Sequence, residues 1–158
     1  MKIRKHLWTI ATGSVAAAAA VLGIQAPALA AWPADDYHCV VIADYPSELA
    51  EGTVSWGNRT ASISGYVADT GGTATTTTVI FEAYAGSNKI DSQTRTANEN
   101  SSLGEFRQYG FSIGDPNLAG GIDRMKITVR ANLPDGDGVY SSTLQVHRDG
   151  TAENVANT

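Results

Sequence analysis

Downstream of residue 30 the chain holds two histidines, His38 and His147, one cysteine, Cys39, and several acidic turns. Nucleophilic or metal chemistry must draw on these. A Ser-His-Asp hydrolytic arrangement needs one histidine as general base. Serines and aspartates are plentiful, but there is no Gly-x-Ser-x-Gly elbow and no strand-turn-helix pattern to host one. His147 falls at the end of the last strand candidate, opposite Leu144 and Val146, as a solvated strand-end histidine would. His38 and Cys39 are neighbours, so on a strand they point to opposite faces. That separates them as a catalytic pair and as a zinc pair, which would also lack two further ligands.

The acidic turns raise one metal question. Asp135 and Asp137, in Asp135-x-Asp137-Gly138, are the calcium candidates of the sequence, and calcium is the one cofactor it raises. Read onward as an EF-hand loop the segment fails, with Tyr140 where glycine is needed and Val146 where a bidentate glutamate is needed. Pooling these acids with Asp115, Asn117 and Asp123 is opposed by topology, since the 114–121 and 132–138 loops leave opposite ends of one strand. Asp and Gly are also what turns demand. A paired-carboxylate glycosidase has no support beyond the presence of acids. Among the aromatics Trp32, Tyr45, Trp56, Tyr66 and Tyr84, the last two fall on outward or second faces of neighbouring strands and could pair across them, with packing favoured over an exposed stripe that binds sugar rings or a protein.

The elements that must position these residues are strands. Thr75 to Ala85 is the longest dense run of β-branched and aromatic residues, with Val79, Phe81, Ala83 and Ala85 on one face. Around it lie candidates at 37–43, 52–56, 60–68, 89–96, 106–113, 122–131 and 139–147, separated by Gly, Asn, Asp and Pro. A single helical turn is expected over 47–51. In the 89–96 strand, Lys89, Asp91, Gln93 and Arg95 read as a polar outer face, which suits a sheet edge. Seven to eight strands without helical periodicity predict an all-β fold, a two-sheet antiparallel β-sandwich. Ig-like topology is the first expectation, and a small barrel or jelly roll the alternative. A Cys…Trp…Cys framework is absent, which excludes the disulfide-bonded subclass.

Residues 1–30 read as a secretory signal peptide. Lys2, Arg4 and Lys5 precede an alanine-rich apolar run, expected to be helical, that ends at Ala28-Leu29-Ala30, a small-x-small cleavage pattern. The expected organisation is then a lead over 31–36, a sandwich over 37–148 and a polar tail over 149–158. Cleavage removes three of the eleven basic residues and none of the sixteen acidic ones, leaving a net charge of −8. That balance disfavours nucleic acid and anionic lipid, and stable membrane insertion is not expected after cleavage. Cys39 has no partner for an internal disulfide and sits in an apolar run, which predicts a buried thiol, with a reactive thiol or a disulfide between chains as the alternative. The expectation is a secreted, non-enzymatic sandwich that binds an extracellular protein or a cell-wall polymer. The alternatives are a small secreted hydrolase using His147 and a structural cell-surface protein.

Overall fold

The computed structural model describes residues 34–42, 45–70, 76–98, 104–132 and 138–155; the signal segment, Trp32, Asp135 and Asp137 lie outside them. The described residues contain no helix and nine strands: β1 (Ala34–Ile42), β2 (Tyr45–Trp56), β3 (Thr60–Asp69), β4 (Thr76–Ala85), β5 (Asn88–Asn98), β6 (Glu105–Gly114), β7 (Arg124–Asn132), β8 (Val139–His147) and β9 (Ala152–Val155). They form two antiparallel sheets, one ordered β1-β2-β3-β6 and the other β5-β4-β7-β8-β9, packed face to face as a β-sandwich.

β4 is paired on both sides, by β5 and by β7. Its alternation buries Val79, Phe81 and Ala83 completely, facing Val129, Ile127 and Met125 on the inner side of β7. From the other sheet come Val54, Ile63, Val67 and Ile113, each no more than 1% exposed. Phe81 stands at the centre, edge-on to Tyr37, Tyr109 and Phe111 at centroid distances of 6.0, 5.4 and 5.2 Å. Such aromatic geometry adds to the stabilisation from area burial alone.

The register also explains why two glycines lie mid-strand. Tyr37, Gly52, Gly65 and Tyr109 form one inward row across β1, β2, β3 and β6. A Cβ on Gly52 would stand 2.7 Å from the Tyr37 hydroxyl and 2.0 Å from the Ser64 carbonyl oxygen. With no side chains there, the Tyr37 and Tyr109 hydroxyls meet over the two glycines at 2.6 Å.

Three expected element bounds are corrected. Residues 47–51 are strand, because β2 pairs without a break from Glu48 to Trp56 against Asp69 to Ala61. The inward row Glu48, Ala50, Gly52, Val54 mixes a carboxylate and a glycine into an apolar face, so its period of two is hard to see. The 149–158 segment contributes β9, whose backbone bonds to Thr143–Val146. Likewise Ala34–Asp36 opens β1 and is no loose lead.

In β5 the polar face points the other way. A bulge places Ile90 between Asp91, opposite Ala83, and Lys89, opposite Tyr84. Asp91, Gln93 and Arg95 therefore share the inner face with Ala83, Phe81 and Val79. They sit where the sandwich opens sideways, and they close it against β6. Asp91 accepts the Gly114 N–H at 3.0 Å, and the Arg95 guanidinium lies 4.2 Å above the Phe111 ring. From β6, Arg107 donates to the Thr96 carbonyl at 3.0 Å and Glu105 accepts the Asn98 N–H at 2.5 Å.

Candidate binding face

Among the described residues neither histidine is hydrogen-bonded to a serine or to Cys39. His147 ends β8 with Nε2 3.6 Å from Glu153, and no hydrogen bond among the described residues joins it to a serine. It borders a cleft of about 690 Å³ at the end of the five-stranded sheet, with Asp123, Arg124, Arg148 and Asp149. The polar groups there serve the fold. Arg124 lies over the Tyr84 ring at 4.5 Å and donates to Gln145 and to the Gly86 carbonyl. Arg148 donates to the Gly57 and Gly120 carbonyls. Asp123 accepts the Gly86 N–H at 2.8 Å, and the Thr151 hydroxyl and N–H lower the Asp149 carboxyl below its ordinary range.

Asp115 accepts the Asn117 N–H at 2.8 Å, a turn-forming bond. Asp115 and Asp123 precede β7 whereas Asp135 and Asp137 follow it, and among the described residues no three metal-ligating side chains are gathered. Cys39 is 3% exposed, as expected, with Sγ 3.6 Å from the Ser142 carbonyl oxygen, and burial pushes the thiol up.

Tyr66 and Tyr84 do not meet, because β3 and β4 belong to different sheets. Tyr66 instead touches Phe106, with centroids 5.9 Å apart, as a diagonal pair across β3 and β6. That contact lies on the outer face of the four-stranded sheet. Register builds it in rows. Val40, Leu49, Ala68 and Phe106 form an apolar row at one end. Phe106 is 64% exposed there, and its ring is the largest hydrophobic surface that the described residues leave open.

The next row is His38, Glu51, Tyr66 and Gln108. One Glu51 carboxylate oxygen lies 3.2 Å from His38 Nδ1 and accepts the Tyr66 hydroxyl at 3.1 Å. Partial desolvation, then the Glu51 carboxylate, raise the Tyr66 phenol and keep it a donor. The following row is Asp36, Thr53, Ser64 and Gly110, in which Thr53 donates to Asp36 at 2.8 Å. A depression of about 380 Å³ lies between the two rows at the β1–β2 side. Ala34, Ser55, Ser62 and Ser112 complete the face, so it carries two carboxylates, one histidine and no lysine or arginine.

Sequence reasoning missed this arrangement because its members come from four strands, brought together by register. The available signal was the pairing of outward Tyr66 and Phe106 with hydroxyl-rich alternation in 60–68. The chain matches no family model, and comparison with curated proteins and with solved structures likewise finds no match.

Proposed function

We propose that this chain is an exported sandwich domain of Ig-like topology that works by binding an extracellular partner, an envelope polymer or a secreted protein, through the outer face of its four-stranded sheet. The observation that carries this reading is the open Phe106 ring, packed on half-buried Tyr66 and set beside the bridged His38–Glu51–Tyr66 row. Exposed aromatic surface is costly to leave in water, and when rimmed by polar groups it marks interaction sites. Supporting the Ig-like topology, β3 lies beside β6 in one sheet while β4 lies beside β7 in the other, an interlocked Greek-key arrangement. Supporting export are the basic start, the apolar run and the Ala28-Leu29-Ala30 pattern.

The test begins with the full chain expressed in a secreting host. Amino-terminal sequencing of the culture-medium protein should begin at Ala31. That protein is then titrated against the producing cell's wall fraction and culture supernatant. Saturable capture that is weakened by Phe106→Ser is the expected outcome. Retention of the chain in the cytoplasm, or no saturable partner in either fraction, overturns the reading.

A further inference from the structure

The outer face of the four-stranded sheet combines an uneven charge with an uneven shape. Lysine and arginine are absent from all four of its rows. A polyanion would meet Asp36 and Glu51 without a compensating cation other than His38. A cationic ligand can still pair with the second oxygen of Asp36 or Glu51, whose first accepts from Thr53 or Tyr66, but it would leave the Phe106 ring and the neutral hydroxyls without a role. What the face does offer is an open aromatic ring, an amide at Gln108, and a floor of Ser and Thr hydroxyls. Aromatic carbon beside many neutral donors and acceptors matches a ligand with apolar C–H faces and equatorial hydroxyls.

Gly110 supplies an independent observation. It lies in the middle of β6, points outward from the row of Ser64 and Thr53, and a Cβ built on it meets nothing within 4 Å. Its φ is not in the left-handed region. Neither packing nor turn geometry therefore requires a glycine, and glycine weakens a strand interior. Glycine inside a strand is found at bulges, at bends and where a ligand or another backbone approaches closely, and the β3–β6 register has no bulge at Gly110. It sits two residues from Gln108 and four from Phe106, so the notch and the aromatic ring belong to one surface about 14 Å across four strands.

We propose that this face binds a neutral polysaccharide, whose sugar rings lie against Phe106 and Tyr66 and run over Gly110 toward Ser64 and Thr53. The proposal rests on the binding reading above and narrows it to a ligand class. The experiment is native affinity electrophoresis of the full-length-derived, secreted protein in gels containing hydroxyethyl cellulose, soluble starch, galactomannan or xylan, with polygalacturonate and glycol chitosan as the anionic and cationic arms. At least one neutral polymer should retard the protein. Phe106→Ala and Gly110→Val should each weaken that retardation about tenfold or more, and Thr94→Val, on the other sheet, should leave it unchanged. Gly110→Val is decisive because valine favours a strand and should keep or raise the unfolding midpoint while removing binding. No retardation by any neutral polymer, retardation mainly by a charged one, or undiminished binding by Gly110→Val would overturn the proposal. If the wall or supernatant partner still saturates while no neutral polymer binds, the glycan assignment falls and the binding reading stands.

Discussion

The Tyr37 and Tyr109 hydroxyls meet at 2.6 Å inside the core, 72 residues apart in sequence, over the bare backbones of Gly52 and Gly65. The relationship joins the two outer strands of the four-stranded sheet beneath the proposed binding face. Each phenol satisfies the other, so neither buried hydroxyl bears the full cost of leaving water unpaired. The same two rings flank Phe81 from the opposite sheet, so one cluster ties both layers together.

Removing one hydroxyl strands the other. Tyr37→Phe and Tyr109→Phe should each cost about 1–3 kcal/mol, the penalty for an unpaired buried polar group. The double variant should cost no more than either single one, since two apolar edges need no partner. Urea denaturation of the four proteins forms a complete cycle. Additive losses would mean that the hydroxyls do not act as a pair.

Alkaline pH should attack the same bond. Burial raises both phenols, Tyr109 to about 12 and Tyr37 further, with the hydrogen bond to Tyr109 adding to the rise at Tyr37. Unfolded tyrosine ionises near pH ~10. The folded pKa values are raised, so the stabilisation is fully present below pH ~10 and is lost as pH climbs toward 12 and beyond. Phenolate absorbance should show two tyrosines ionising only as near-UV dichroism collapses. The double phenylalanine variant should hold its dichroism to higher pH, and an unchanged midpoint would refute the linkage.

The strands were legible wherever one face is uniformly apolar. Met125, Ile127, Val129 and Ala131 alternate with Arg124, Lys126, Thr128 and Arg130, and β7 is found there. Legibility failed where the inward row mixes chemistries. Glu48 and Gly52 hid the first half of β2, and the Ile90 bulge reversed the face of β5, because one extra residue flips every side chain beyond it. The outer face of the four-stranded sheet was illegible for a different reason. His38, Glu51, Tyr66 and Phe106 are brought together only by strand register, which no local pattern encodes.

The reversed face of β5 carries its own test. Arg95 is presented to the Phe111 ring at 4.2 Å, and its planar guanidinium covers that side of the core. Arg95→Ala should cost about 0.5–2 kcal/mol, the range for such a contact from exposed to desolvated. Arg95→Lys should recover only part of this, because a compact ammonium does not stack as a guanidinium does. Unfolding midpoints at two salt concentrations measure both effects. Equal stability of Arg95→Ala and the parent chain would show the contact to be idle.

Cys39 lies on β1 between Tyr37 and Val41, facing β8, and is closed off by the core around it. Burial raises its thiol above the ordinary range, with the Ser142 carbonyl contact opposing the rise, so the reactive thiolate is scarce as well as shielded. An aromatic disulfide reagent at pH 8 should therefore titrate no thiol in the folded protein and one per chain in concentrated urea. Reaction should follow the urea unfolding curve, because access requires opening of the β1–β8 side. Rapid native labelling, or a disulfide-linked dimer of the folded protein on non-reducing gels, would show that side to open readily and would move Cys39 from the core to an interface.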